Sequence, residues 1–205
     1  MSNAIGLVDA LGSIEPNSAM HKEVYTHVKS SLQQLDQVIK DLDMILSVRN
    51  REGLPDQQDV LLEQIVGQVI QDLRDDINKC RGTVKVSIPS GFLIRTNQAN
   101  LYSIFFNLLS NTIKYRAEQR PLRVELTAKE TAGHGKLITI SDNGLGIDLE
   151  KVGENMFKLY KRFHPQHSGR GLGLYLVKMH IESIGGQIKV SSQPDQGATF
   201  KITLL

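Results

Sequence analysis

Hydrophobic residues recur at helical spacing through the first part of the chain. From Ala19 to about Arg49 they step by threes and fours without a glycine or proline, which predicts one helix roughly 45 Å long. Met1–Leu11 fits a short amphipathic helix, and Gly12–Ser18 between the two is a turn-rich break. Because an apolar stripe of this length needs partner helices, residues 1–49 are predicted to form a helical hairpin that dimerises.

Helical and strand patterns mix after a linker at 50–56, which carries glycine, proline and charge. Helical spacing returns in Val60–Lys79, around Phe106–Tyr115 and in Leu172–Ile184. Short apolar runs predict six strands, the first two joined by a turn at Pro89–Gly91. They are Thr83–Ile88, Phe92–Arg95, Leu122–Lys129, Lys136–Ser141, Gln187–Ser192 and Ala198–Leu205. Residues 57–205 are therefore predicted to form one α+β domain, a mixed and mostly antiparallel sheet covered by helices.

The helix around Phe106–Tyr115 carries an unusual polar face. Asn107, Asn111 and Lys114 fall at i, i+4 and i+7, so their side chains line up beside an apolar stripe. An amide oxygen can ligate a hard cation such as Mg²⁺, and an ammonium can meet a phosphate as a point charge. A partly buried helix with a merely solvated polar face explains this stretch, taken alone, about equally well.

Three glycine-rich segments accompany this helix. Asp142–Ile147 follows an apolar strand, Gly169–Leu174 opens an apolar helix, and Gly197–Phe200 introduces the last strand. With the Asn/Lys helix, and in this order, they resemble the N, G1, G2 and G3 boxes of the nucleotide-binding domain of sensor histidine kinases, which belongs to the Bergerat or GHKL ATPase superfamily. The resemblance covers residues 57–205 and includes an F box with three aromatic residues, Phe157, Tyr160 and Phe163.

The resemblance implies a Bergerat-type α/β sandwich, preceded by the helical hairpin, that binds ATP and Mg²⁺. It implies that the Asp142 carboxylate accepts a hydrogen bond from the adenine amino group. Asn111 would be the Mg²⁺ ligand, with Asn107 beside it. Lys114 would reach the phosphates, and Tyr115 would pack its ring on the adenine. The residues implied to line the floor of the pocket are Gly144, Gly146 and Ile147.

The phosphates are implied to lie against the second glycine segment, because N–H groups at a helix N-terminus receive phosphate oxygens. The residues implied to contact ATP there are Gly169, Arg170, Gly171, Leu172, Gly173 and Leu174, together with Thr199 on the last strand. The basic segment between the glycine boxes resembles a mobile ATP lid, from which Lys161 and Arg162 would contact the nucleotide. The F-box aromatics would anchor this lid on the core, and a solvated basic loop is the alternative.

The resemblance also implies a reaction. The γ-phosphoryl group of ATP passes to a histidine, with Asn107 and Lys114 in catalytic roles, for relay to an aspartate on a response-regulator receiver domain. His21 and His27 do not match the acceptor pattern of the family, in which an acidic residue follows the histidine. The acceptor is therefore expected a few residues before Ile5, just outside this chain. We expect a homodimer through the hairpin, but no autophosphorylation by this fragment.

Composition narrows the class of protein. The chain has 205 residues, of which 40% are hydrophobic and 22% charged, and a net charge of +2, as in soluble globular proteins. It has no basic block with interleaved aromatics, so we expect no nucleic-acid partner. Its apolar runs are too short to span a bilayer, so membrane contact is expected only through segments outside this chain. The single cysteine, Cys80, suits a reducing compartment, and we expect a cytoplasmic protein or the cytoplasmic portion of a membrane-anchored receptor.

Two other functions stay open. A GHKL-type ATPase would hydrolyse ATP to drive a conformational change, using a glutamate on the N-box helix to activate water. In this chain Asn107 occupies that face, and Glu118 lies past the helix. The second alternative is a nucleotide-binding or dimerisation module without catalysis, against which the intact glycine boxes argue.

Overall fold

The computed structural model describes residues 20–32, 57–161 and 171–204, and the chain divides into two compact units at Arg51 and Glu52. In the first unit, residues 20–32 are helical (α1), as the apolar spacing predicts for this part of Ala19–Arg49. The helix predicted over Met1–Leu11, the rest of Ala19–Arg49 and the linker at 50–56 lie outside the described residues. The helical hairpin therefore stays a prediction.

The second unit mixes strands and helices. In chain order they are β1 (Gln58–Leu61), α2 (Leu62–Asp72), α3 (Arg74–Lys79), β2 (Thr83–Ser87), β3 (Leu93–Thr96), α4 (Gln98–Lys114), β4 (Arg123–Glu130), β5 (Lys136–Asp142), α5 (Leu149–Val152), α6 (Gly173–Ser183), β6 (Gln187–Ser192) and β7 (Ala198–Leu204). Two 3₁₀ turns, Ala132–His134 and Gly153–Phe157, follow β4 and α5.

Five strands form the main sheet, in the order β2-β4-β5-β7-β6. β2 pairs with β4 in parallel, and the other neighbours are antiparallel, which confirms the predicted mixed, mostly antiparallel sheet. The pairing sets Ser141 opposite Thr199, so β5 ends where β7 begins. Two of the glycine-rich segments therefore meet at one end of the sheet.

One face of the sheet is buried under helices. Along β4, Val124, Leu126 and Ala128 are buried, and the residues between them point away from the core, as a half-buried strand requires. α4 packs against α2 and α6. Their shared core includes Phe105, Leu108, Ile138, Ile140, Val177 and Ile181. Within the described ranges, no helix is both long and apolar enough to cross a membrane.

Two predicted elements differ from the structure. The helix predicted from Val60 begins only at Leu62, because β1 pairs antiparallel with β3 to form a second, two-stranded sheet. The predicted turn at Pro89–Gly91 joins β2 to β3, but β3 lies in this second sheet and not in the main sheet with β2. Strand pairing depends on partners far away in the chain, which local spacing does not contain. The ends of the predicted strands are otherwise confirmed within one residue, apart from Leu205, which lies outside the described residues.

Candidate functional site

The polar face of α4 is held in place by the packing of its other faces. The helix begins at a cap in which the Asn97 side chain accepts a hydrogen bond from the Ala99 N–H at 2.9 Å. Phe105 and Leu108, on its apolar face, are fully buried in the core shared with the sheet and the neighbouring helices. The sequence therefore fixes how this helix is rotated, and the residues predicted to bind a ligand share one face.

Asn107 meets the start of α6. Its Nδ2 donates to the Ser103 carbonyl oxygen at 2.8 Å, which fixes the orientation of the amide. A Cβ added at Gly173 would lie 2.7 Å from the Asn107 Oδ1, a separation that real Cβ atoms essentially never show. Glycine at 173 therefore lets the backbone of α6 approach this amide oxygen closely. The predicted N and G2 boxes are brought together by this contact.

The residues around this contact suit a magnesium-bound phosphate. Amide oxygens are hard donors of the kind that Mg²⁺ accepts, and Asn111 lies one turn beyond Asn107 on the same helix. No described side chain caps the N-terminus of α6. The first N–H groups of that helix can therefore donate hydrogen bonds to phosphate oxygens. Asn111, with Asn107, fits the predicted Mg²⁺ ligand set.

Asp142 ends β5 in a tight turn. Its Oδ1 accepts a hydrogen bond from the Gly144 N–H at 2.7 Å. Burial raises the pKa of the Asp142 carboxyl above its ordinary value, although the N–H groups of Gly144 and Ala198 act in the opposite direction. Beside it, a Cβ on Gly197 would lie 1.9 Å from the Asp142 carbonyl oxygen, so the G3 segment packs directly on the G1 turn.

The C-terminus of α4 packs on the same turn. The Tyr115 carbonyl oxygen accepts a hydrogen bond from the Leu145 N–H at 2.9 Å, and a Cβ on Gly144 would lie 2.5 Å from that oxygen. The Lys114 Nζ lies 4.7 Å from the centre of the Tyr115 ring, a cation–π contact. The ammonium therefore covers one face of the ring that is predicted to pack on adenine.

The hairpin between β6 and β7 closes the turn from the other side. Gly146 has a φ of 66°, and a Cβ there would lie 1.9 Å from the Gln193 carbonyl oxygen. The Ser192 hydroxyl accepts from the Ile147 N–H at 2.8 Å and donates to the Gly197 carbonyl oxygen at 2.6 Å. The predicted floor of the pocket is therefore joined to the last hairpin through backbone contacts.

The predicted lid begins and ends at a backbone junction. The Tyr160 N–H donates to the Gly171 carbonyl oxygen at 3.1 Å, and a Cβ on Gly171 would lie 2.2 Å from the Lys161 carbonyl oxygen. Phe157 packs against the core, as predicted for an anchor. Tyr160 does not: half of its side-chain surface is exposed, and its φ is 60°. The residues of this prediction that lie outside the described ranges are Arg162, Phe163, Gly169 and Arg170.

The remaining predicted contacts have structural partners. Leu172, just before α6, is buried, and Leu174 is partly buried against the core. The Thr199 hydroxyl forms a hydrogen bond of 2.8 Å with the Ser141 hydroxyl.

Arg120 is a site residue that the sequence did not predict. Its guanidinium donates to the carbonyl oxygens of Asn143, Gly144 and Asp195. A single arginine in a turn belongs to no spacing pattern, so no signal in the sequence marks this one.

More than half of the chain matches a family of known proteins. Residues 96–205 match the family described as Histidine kinase-, DNA gyrase B-, and HSP90-like ATPase. The chain therefore belongs to that family, and the predicted resemblance to the catalytic domains of sensor histidine kinases is confirmed.

Individual relatives agree with this assignment. The sensor-like histidine kinase SenX3 of Mycolicibacterium smegmatis is 26% identical over 174 residues, which cover 83% of this chain and 44% of SenX3. The histidine kinase AdeS of Acinetobacter baumannii has a similar fold, with a TM-score of 0.68 at 18% identity, over 99% of this chain and 93% of that one. Full-length ShkA, solved in complex with AMPPNP, gives a TM-score of 0.66 at 21% identity, over 95% of this chain and 40% of ShkA. The chain spans less than half the length of SenX3.

Proposed function

We propose that this chain is the ATP-binding catalytic part of a sensor histidine kinase. Membership of the ATPase family and similarity to histidine kinases support a kinase-type protein that binds ATP. The observation that carries the proposal is the contact between Asn107 and Gly173, which brings an amide oxygen to the N-terminus of a helix. An oxygen donor for a cation beside N–H groups for an anion is the arrangement that a metal-bound triphosphate requires.

Base recognition is assigned to the other end of α4. The Asp142 carboxylate, half-buried beside Tyr115, accepts a hydrogen bond from the adenine amino group. Guanine presents a carbonyl oxygen at this position, so two acceptors would face each other and the wrong base would be excluded. The close contacts at Gly144 and Gly146 hold the floor of the pocket, and Ile147 lines it.

The phosphates lie between α4 and α6 in this proposal. Asn111, supported by Asn107, would hold Mg²⁺, which would neutralise phosphate charge when it is bound. Lys114 leaves the Tyr115 ring to meet the phosphates. Backbone N–H groups at Gly171 and Gly173 orient the terminal phosphate, and lid residues including Lys161 exclude water. The chain thus acts by positioning and charge neutralisation, as phosphoryl transfer needs.

In this proposal the acceptor of the phosphoryl group is a histidine that lies upstream of this chain. Neither His21 nor His27 is followed by the acidic residue of the acceptor pattern. A homodimer through the hairpin would present the acceptor to the ATP site, and a response-regulator receiver domain would take the phosphoryl group. A cytoplasmic location, where ATP is available, belongs to the same proposal.

Phosphorylation with γ-labelled ATP and Mg²⁺ tests this proposal. A form of the protein extended upstream to include the acceptor should gain an acid-labile, base-stable phosphoryl group, as a phosphohistidine would. The present chain should gain none, and His21→Gln with His27→Gln should change nothing. If the present chain labels itself and loses the label in either variant, the placement of the acceptor is wrong.

The same assay separates the kinase from a stand-alone ATPase. Helix α4 contains no aspartate or glutamate that could activate water, and Glu118 lies in the exposed turn beyond it. We therefore expect only slow release of labelled phosphate from the present chain. Rapid steady release without protein labelling would favour the ATPase, and absence of ATP binding would contradict both functions.

A further inference from the structure

Arg120 joins three segments of backbone around the turn that carries Asp142. Its Nε donates to the Asn143 carbonyl oxygen at 2.7 Å. Its Nη2 donates to the carbonyl oxygens of Gly144 at 2.8 Å and Asp195 at 2.6 Å. The acceptors lie 23, 24 and 75 residues from Arg120 along the chain. The planar guanidinium therefore connects the loop after α4 to the G1 turn and to the last hairpin.

Two of these carbonyls share peptide planes with N–H groups of the site. The Asn143 carbonyl belongs to the same planar peptide as the Gly144 N–H, which holds the Asp142 Oδ1 at 2.7 Å. The Gly144 carbonyl belongs to the same peptide as the Leu145 N–H, which donates to the Tyr115 carbonyl oxygen at 2.9 Å. Because a peptide unit is rigid, fixing the carbonyl side fixes the direction of the N–H side.

We propose that Arg120 is a positioning residue for adenine recognition, which orients the Asp142 carboxylate and the Tyr115 end of α4 through these two peptides. The inference rests on the proposed role of Asp142 in binding the base. Arg120 itself contacts no nucleotide in this proposal. Hydrogen bonds from a charged donor also polarise the peptides they meet, which strengthens the N–H groups on the far side as donors.

A double-mutant cycle on ATP affinity tests whether Arg120 acts through Asp142. Calorimetry with ATP and Mg²⁺ would compare wild type, Arg120→Ala, Asp142→Asn and the double variant. We expect Arg120→Ala to weaken ATP binding about tenfold in wild type, the size of one charge-assisted hydrogen bond. In the Asp142→Asn background, Arg120→Ala should weaken ATP binding less than about twofold, because the effects of two residues that act as a unit are not additive. Equal losses in both backgrounds would overturn the proposal.

Two further variants separate positioning from general loss of stability. Arg120→Lys keeps the charge but not the planar fork, so it should bind ATP with an affinity between those of wild type and Arg120→Ala. Arg95→Ala removes an exposed arginine on β3, in the other sheet, and should bind ATP like wild type. Urea unfolding of each variant corrects the affinities for any unfolded fraction. If Arg120→Lys binds ATP as poorly as Arg120→Ala after this correction, the positioning role requires the planar guanidinium. If Arg120→Ala binds ATP like Arg95→Ala, the proposal fails.

Amide exchange in the ligand-free protein keeps this inference separate from the proposed function. The protection factors of the Gly144 and Leu145 N–H groups should fall at least about tenfold in Arg120→Ala. The reason is that Arg120 no longer fixes the peptides that make these two hydrogen bonds. Protection in β4 should stay unchanged. If wild type does not bind ATP but these amides lose protection in Arg120→Ala, the proposed function fails. The positioning of the two peptides by Arg120 is then still supported. Unchanged exchange at both amides would overturn the positioning role of Arg120, whether or not the protein binds ATP.

Discussion

Replacing Gly146 with alanine tests the packing between the G1 turn and the last hairpin. Gly146 has a φ of 66°, and an added Cβ would lie 1.9 Å from the Gln193 carbonyl oxygen. Gly91 is a matched control, because its φ is 74° but nothing lies within 4 Å of an added Cβ. The left-handed backbone costs alanine about 1–2 kcal/mol in either place. Only the variant at 146 adds a steric conflict with backbone.

The size of that conflict follows from the contacts nearby. An ordinary contact begins at 3.4 Å, so the two segments would have to separate by about 1.5 Å to restore one. Such a shift breaks the hydrogen bond of 2.6 Å from the Asp195 N–H to the Leu145 carbonyl oxygen and opens the Arg120 bridge. We expect Gly146→Ala to lose about 2–3 kcal/mol of unfolding free energy beyond Gly91→Ala.

Urea unfolding followed by circular dichroism measures this difference. At a typical slope of about 2 kcal/mol per M, the midpoint of Gly146→Ala should fall about 1 M or more below that of Gly91→Ala. ATP binding should be lost in Gly146→Ala and kept in Gly91→Ala. Equal midpoints in the two variants would refute the close packing of this turn.

Four further predictions concern three residues of the site. Burial raises the pKa of the Asp142 carboxyl in the folded state above its ordinary value of 3.8, which applies to the unfolded state. Between these two pKa values the folded state therefore binds more protons than the unfolded state. Wild type should therefore lose stability relative to Asp142→Asn as pH rises from 3.8 to the folded pKa; a urea-midpoint difference that is constant with pH would contradict this. Asp142→Asn should also weaken ATP binding by about 1.5–3 kcal/mol in calorimetry, and unchanged affinity would remove Asp142 from the adenine pocket. Asn111→Ala should lose the Mg²⁺-dependent part of ATP affinity but keep adenosine binding, and an equal Mg²⁺ dependence in mutant and wild type would exclude it as the metal ligand. Gly173→Ala, whose Cβ would lie 2.7 Å from the Asn107 Oδ1, should weaken binding of ATP more than that of adenosine, whereas equal losses for both would place this contact away from the phosphates.

Local patterns were sufficient to predict the parts of the site that lie on one element. The spacing of Asn107, Asn111 and Lys114 places them on one face of α4, because a helix has a fixed period and its apolar face is buried. The order of the glycine segments predicted which elements meet. The close approaches at Gly144 and Gly197 explain why glycine stands there.

Contacts between distant segments could not be predicted in this way. The Arg120 bridge reaches Asp195, 75 residues away, and depends on how β6 and β7 turn over the site. The second half of β1, from Val60, was assigned to a helix because its pairing with β3 carries no local signal. Tyr160 was expected to be an anchor because it resembles part of the family's F box, but Tyr160 is half exposed and has a φ of 60°.

Calorimetric titration of this chain with ATP and with GTP, in the presence of Mg²⁺, tests the central claim most directly. The site described around Asp142 and Asn111 predicts saturable binding of one ATP per chain and much weaker binding of GTP, because guanine presents a carbonyl oxygen to Asp142 where adenine presents an amino group. Removal of Mg²⁺ should weaken ATP binding without abolishing the preference for adenine. Equal affinity for the two nucleotides, or no binding of ATP, would contradict the account.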